Sequence, residues 1–296
     1  MKILVIGNKG MLGQDLMIRL KQSRHVAIGL DIPDIDITKE QEVLSSCGNL
    51  APELIINCAA YTAVDKAETE SDSAFSVNRD GAANLANASK SLGIPLIHIS
   101  TDYVFDGKSR RPYREDDPAN PLGAYGQSKW EGEQAVRSIL ASHLIIRTAW
   151  LYGVNGHNFV KTILRLAAEK EEIRVVADQF GCPTWTGDLA DGLITIVNQI
   201  AANTGQISWG TYHFCGKGEA TWHDFAQAIV DEGKQREHFK VNKIIPITTS
   251  DYPTPAARPA WSVLDCRKME ENFQVVPIDW RQGLARMMTE LYASQL

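Results

Sequence analysis

The 296-residue chain has no Cys-x-x-Cys pair, no His-Glu-x-x-His stretch and no apolar run near the roughly 20 residues that a membrane-spanning helix needs. Each absence narrows the reading. The cysteines Cys47, Cys58, Cys182, Cys215 and Cys266 are odd in number and widely spaced, which argues against a disulfide framework or a zinc site. They read as reduced thiols of a cytoplasmic protein. The seven histidines form no metal-ligand cluster. Positive charge is also scarce: 30 Lys and Arg against 36 Asp and Glu leave a net charge of −6, the wrong sign for a general nucleic-acid binder. At the start of "MKILVIGNKG" the apolar run Ile3–Ile6 is too short for a signal peptide. Neither a nucleic-acid nor a membrane partner is expected, and the chain shows no internal repeat or low-complexity tract.

What the chain does contain is a repeated alternation. Short apolar runs at 2–7, 25–31, 53–59, 95–100 and 143–148 are separated by helical patterns at 11–21, 39–47, 71–91 and 124–141. Strands that are apolar throughout belong in a parallel sheet covered on both faces. The fold class is therefore α/β, a doubly wound parallel Rossmann-type sheet over residues 1–150, with some later segments returning to it. Residues 151–296 read mainly as a smaller C-terminal substrate lobe. There "DLADGLITIVNQIA", "TWHDFAQAIVDEG" and Trp280–Tyr292 are helical, and Pro253, Pro255 and Pro259 enforce a loop.

Directly after the first strand comes "GNKGMLG", which places Gly7, Gly10 and Gly13 at a strand-to-helix turn. The first glycine permits the tight turn, the second lets a pyrophosphate approach the backbone, and the third allows close helix–sheet packing. Free amides at the helix start suit phosphate. Asp31, at the end of the second strand, suits the ribose hydroxyls of an adenosine and repels a 2′-phosphate. Asp36 and Ile37, in "DIDIT", are placed to line the adenine; a plain turn is the alternative.

"YGQSK" is the only Tyr-x-x-x-Lys in the chain and sets Tyr125 and Lys129 one helical turn apart, on one face. The fourth strand runs into "STDYVFDG", so Ser100, Thr101 and Asp102 fall beyond a carboxyl end of the sheet, where ligands of such folds sit. A phenol titrates near 10, too high for ready proton exchange at neutrality. The ammonium of Lys129 is expected to lower that value, Tyr125 to give a proton to a carbonyl oxygen, and Thr101 to orient the same oxygen. Lys129 would also hold the nicotinamide ribose.

The spacing GxxGxxG resembles that of the extended short-chain dehydrogenases/reductases. "NCAAYTAVDKAE", "STDYVFDG", "YGQSKWEGE", "RTAWLYG", "DQFGCPT", "TWHDFA" and "YPTPAARP" together resemble the dTDP-4-dehydrorhamnose reductase family over nearly the full length. That resemblance implies reduction of the 4-keto group of dTDP-4-dehydro-6-deoxy-L-mannose with NADPH or NADH. It implies that Gly10, Met11 and Leu12 bind the pyrophosphate and that Ala60, Tyr61 and Thr62 line the cofactor. It puts Thr101, Asp102 and Trp150 on the sugar, with Tyr125 as proton donor. Trp150 as a core residue stays open, as does Arg258 as either a diphosphate ligand or half of a surface salt bridge. Some relatives hold Mg2+ between subunits with glutamates; Gly187 stands near where one would be expected, so no metal ligand is assigned. A homodimer stays open. Two other readings are a nucleotide-sugar epimerase or dehydratase and a non-catalytic dinucleotide-binding regulatory subunit. Dehydratases usually place Asp-Glu after the threonine, whereas this chain has Asp102-Tyr103.

Overall fold

A computed structural model describes residues 1–202 and 207–294. Its central sheet contains β1 (Lys2–Ile6), β2 (Val26–Leu30), β3 (Leu54–Asn57), β4 (Leu96–Thr101) and β5 (His143–Thr148). A sixth strand, Gly210–His213, pairs with β5, and from it the order runs β5, β4, β3, β1, β2, all parallel. The reason for the unbroken apolar runs is visible in the packing. Ile3 and Val5 face a core shared with α1 (Met11–Lys21) and the Thr186–Ala202 helix. Leu4 and Ile6 face the opposite core, against α2 (Glu40–Leu50) and the Gly81–Leu92 and Ala124–Ile139 helices. With a helical layer on each side, the middles of the strands are mostly apolar, and polar residues such as Asn57, Thr101 and Arg147 come at the carboxyl ends.

The chain crosses between its two halves. The Gly210–His213 strand and the Thr186–Ala202 helix come from beyond residue 150 but cover the sheet. The rest of the second half forms its own core. There the helices Phe159–Glu169, Trp222–Lys234 and Trp280–Ala293 pack with a parallel pair, Glu172–Val176 and Lys243–Ile247. Of the described residues, no helix is long and apolar enough to cross a membrane.

One helix departs from its sequence pattern. The stretch 71–91 is not a single α-helix: Ser71–Phe75 and Gly81–Leu92 flank a π-helical turn, Ser76–Asp80. Such turns widen a helix locally and often serve a functional site. Here the turn lodges the buried Asn78 between the loop after β3 and the Ala124–Ile139 helix.

Strand order reverses at β1, whose neighbours β2 and β3 lie on either side, so the ligand crevice opens above the carboxyl end of β1. The glycine turn occupies that position. Gly7 has φ +79°, and a Cβ on Gly13 would lie 2.1 Å from the carbonyl oxygen of Gly7. No side-chain rotation relieves a clash between two backbones. Gly13→Ala is therefore expected to weaken dinucleotide binding at least about tenfold, measured by fluorescence titration with NADPH. An unchanged binding constant would show that α1 is free to shift.

Candidate active site

The first part of the site is an anion cradle. Gln14 makes the first α-helical bond of α1, to Gly10 O at 2.9 Å, which leaves the amides of Met11, Leu12 and Gly13 outside the helical ladder. Gly10 brings no capping side chain to cover them. Exposed amides at the positive end of a helix fit a pyrophosphate by geometry and by charge. Asp31 stands beside them: its carboxylate accepts the amides of Lys9 at 3.0 Å and Ile32 at 2.8 Å. Lys9 extends its ammonium over the same edge, donating to Ile32 O at 2.9 Å, with Asp34 3.5 Å away. A cation was not part of the sequence expectation for this edge, and its presence offsets the repulsion that Asp31 exerts on a phosphate.

Asp36 and Ile37 are less open than expected. Asp36 receives both the amide and the hydroxyl of Thr38, and Ile37 is 5% exposed, its side chain held in the core beneath Gly81. Ile37 presents no side chain for lining an adenine. The loop Ala60–Thr62 follows β3 as anticipated. It is fixed by Asn78, which accepts the Tyr61 amide at 2.9 Å, donates to Tyr61 O at 3.1 Å and donates to Ser128 Oγ at 2.9 Å. Asn78 gives no signal in sequence, since an asparagine inside a helical pattern reads as a surface residue.

The second part is the group at the ends of β4 and the Ala124–Ile139 helix. Glu68, in "DKAE", accepts the Ala124 amide at 2.9 Å and so completes the N-terminus of that helix. Tyr125 follows in the first turn, its ring edge-on to Tyr103 at 5.5 Å. Thr101 Oγ donates to Asp102 Oδ1 at 3.1 Å, accepts the Tyr103 amide at 3.3 Å and reaches the Tyr125 hydroxyl. Lys129 is 2% exposed and donates to Ile99 O at 2.6 Å, beside Cys58. Cys58 in turn abuts Gly7. Tyr125, Thr101 and Lys129 thus stand at the same end of the sheet as the anion cradle.

The electrostatics reverse one expectation. The phenol of Tyr125 is not lowered by Lys129. Burial pushes it up to about 12, the Thr101 hydrogen bond pulls the other way, and the charge of Asp102 adds to the rise. The ammonium has instead turned to a backbone carbonyl. Burial brings Lys129 down to about 8, against the opposing charge of Glu133. Asp102 is 2% exposed, and burial raises it to about 6. Its Oδ2 has no hydrogen-bond partner among the described residues. Thr101 and Ser262 lie beside it and pull the carboxyl back down.

Trp150 stacks on Trp222 with ring centroids 3.5 Å apart and 7° between planes, and it adopts a left-handed backbone, φ +47°. A bulky residue held in that region costs of order 1–3 kcal/mol and marks functional sites. From Trp222 a cavity of about 600 Å³ extends past Phe159, Arg174, Tyr252 and Arg258. The salt-bridge alternative for Arg258 is present: its fork holds both oxygens of Asp65, at 2.9 and 2.8 Å, while Nη1 also donates to Thr254 Oγ and Ala256 O. Among the described residues no group of three or more His, Cys, Asp or Glu side chains is arranged to hold a metal ion.

Comparison with known proteins gives a consistent result. Residues 1–293 match the family described as RmlD substrate binding domain. A dTDP-4-dehydrorhamnose reductase of Sinorhizobium fredii is 42% identical over 294 residues, 98% of each chain. The crystal structure of a dTDP-4-dehydrorhamnose reductase from Clostridium acetobutylicum superposes with a TM-score of 0.92 at 40% identity, over 99% of this chain and 100% of that one. A Bacillus anthracis dTDP-4-dehydrorhamnose reductase in complex with NADP gives 0.89 at 38% identity, over 98% and 99%.

Proposed function

We infer, from the premise that the chain belongs to the RmlD substrate binding domain family of dTDP-4-dehydrorhamnose reductases, that it is an NAD(P)H-dependent oxidoreductase of nucleotide sugars. The reaction proposed is reduction of the 4-keto group of dTDP-4-dehydro-6-deoxy-L-mannose to give dTDP-L-rhamnose. The observation that carries this reading is the convergence of Thr101, Tyr125 and Lys129 beside the glycine cradle.

In this reading the cofactor, held by the amides of Met11, Leu12 and Gly13 and by Asp31, supplies a hydride to the carbonyl carbon. Thr101 and Tyr125 take the carbonyl oxygen between them. A phenol raised to about 12 is fully protonated at neutral pH, the state in which it has a proton to give. Reduction draws on the protonated phenol, whereas oxidation at the same site would need phenolate. Trp150 and Trp222 give the sugar a flat wall, and the cavity beyond them, with Arg174 and Arg258 on its lining, takes the nucleotide. Residues 151–296 therefore serve mainly as the substrate lobe. The test is loss of reduced-cofactor absorbance when the purified chain receives dTDP-4-keto-6-deoxyglucose and its 3,5-epimerase. Stoichiometric consumption supports a reductase; recycling without net consumption points to an epimerase or dehydratase.

Lys129 gives the reaction a pH signature. Its value near 8 lies below the ordinary 10.5, so the ammonium is lost as pH rises through about 8. With Lys129 holding the nicotinamide ribose, kcat/KM for NADPH is expected to fall about tenfold per pH unit above that point, and to be low and flat in Lys129→Met. The stability effect has the opposite sense: the unfolded chain binds the proton more tightly, so stability rises with pH between about 8 and 10.5. A wild-type profile flat through pH 9.5 would remove the ammonium from cofactor binding.

A further inference from the structure

Three thiols lie apart from the catalytic group, in the wall of the C-terminal half. Cys215 follows the Gly210–His213 strand, and Cys266 precedes the helix Arg267–Phe273. Their sulfurs are 3.6 Å apart although 51 residues separate them in the chain. Cys266 Sγ also accepts the backbone amide of Cys215 at 3.3 Å. The two residues differ in access. Cys215 is buried and Cys266 half-buried, and both line a cavity of about 510 Å³. That cavity carries Arg111, Arg114, Lys217 and Arg267, alongside Glu219, Asp265 and Glu270. The third thiol, Cys182, is buried, lines the same cavity and lies close enough to Cys215 to help hold it protonated.

We propose that Cys215 and Cys266 form a peroxide-reactive dithiol site, in which Cys266 is oxidised first and Cys215 closes a disulfide onto it. Cys266 is the more exposed of the pair, so it is the sulfur that peroxide reaches first. Cys215 is the opposite case, held as thiol by its bonds to Cys182 and Cys266 and by burial. The Cys266 thiolate attacks one peroxide oxygen, the O–O bond breaks, hydroxide leaves and a sulfenic acid forms. The sulfur of Cys215 then displaces that oxygen, which departs as water carrying the Cys215 proton. Two thiols lose two electrons in total, and one hydrogen peroxide becomes two waters. Without a second sulfur in contact, a sulfenic acid proceeds to sulfinic acid, which is irreversible. The disulfide would join the sheet edge to the segment that carries Arg258 and Ser262, and a thiol reductant would release it.

The test is peptide mapping of the full chain by mass spectrometry under non-reducing conditions, after treatment with stoichiometric hydrogen peroxide. Wild type is expected to lose two of its five free thiols and two hydrogens in mass, with one cross-linked peptide spanning Cys215 and Cys266 that dithiothreitol separates. Cys215→Ser, given two or more equivalents of peroxide, is expected to gain two oxygens at Cys266 in place of the cross-link. Cys266→Ser is expected to leave Cys215 as free thiol. Sulfinic acid at Cys266 of wild type with no cross-link would overturn the proposal. A Cys182–Cys215 bridge would overturn it equally.

Discussion

Tyr125→Phe is expected to lower kcat at least about a hundredfold while KM for the nucleotide sugar changes little, the usual effect of removing a general acid. The substitution deletes one hydroxyl and keeps the ring that meets Tyr103 edge-on. Packing is therefore preserved, and a loss of rate reports on the proton. The hydroxyl lies against Thr101, whose own proton is directed to Asp102. Without the phenol, the nascent alkoxide would be left with the Thr101 hydroxyl alone, which must turn from Asp102 to reach it and is no match for a phenol as an acid. Thr101→Val should show a smaller fall, because it removes orientation but leaves the acid. The measurement is the steady-state decline of NADPH absorbance with keto-sugar, beside a thermal melt showing that the variant folds. A Tyr125→Phe enzyme at wild-type rate would remove the proposed donor. A wild-type chain with no turnover would favour the regulatory reading.

Much of this arrangement was legible because the physics acts locally. A strand covered on both faces is mostly apolar, so β1 to β5 stand out as apolar runs. The glycine turn is legible because only glycine permits the backbone approach seen at Gly7 and Gly13. What the sequence hides is set by distant partners. The Gly210–His213 strand is four residues long with two polar side chains, and it reads as a strand only once β5 offers it an edge. Arg258 meets Asp65 across 193 residues, and nothing in "PAARPA" announces that pairing. The same limit explains the inverted reading of Tyr125. Spacing places Lys129 on the same helical face, but it does not say that the Ile99 carbonyl captures the ammonium or that burial outweighs charge.

Glu133 is the most consequential residue of this hidden kind, because a glutamate in a helical pattern normally marks the solvent face, and this one is 0% exposed. Its Oε1 accepts Ser100 Oγ at 2.6 Å and Arg147 Nε at 2.9 Å; its Oε2 accepts Arg147 Nη2 and Arg137 Nη2, each at 2.8 Å. Arg147 lies in β5 and is itself 1% exposed. Removing one member leaves a buried charge without its partner, so Glu133→Ala is expected to cost about 3–5 kcal/mol in urea unfolding. Pairing it with Arg147→Met should recover a substantial part, since the apolar isostere no longer strands a charge. Burial alone would raise the Glu133 carboxyl, but the guanidinium of Arg147 outweighs it and holds the group below its ordinary value. Its contribution to stability is therefore complete at neutral pH and is lost on acidification through that lowered value. Glu133 also reaches the chemistry, one helical turn beyond Lys129, where its charge is the chief influence that keeps the ammonium protonated against burial. Glu133→Gln, which keeps the shape and loses the charge, should accordingly move the alkaline fall of kcat/KM below pH 8. A Gln variant with an unmoved pH profile and a full loss of stability would confine Glu133 to structure. A shifted profile would make one buried carboxylate the support of both the sheet and the catalytic lysine.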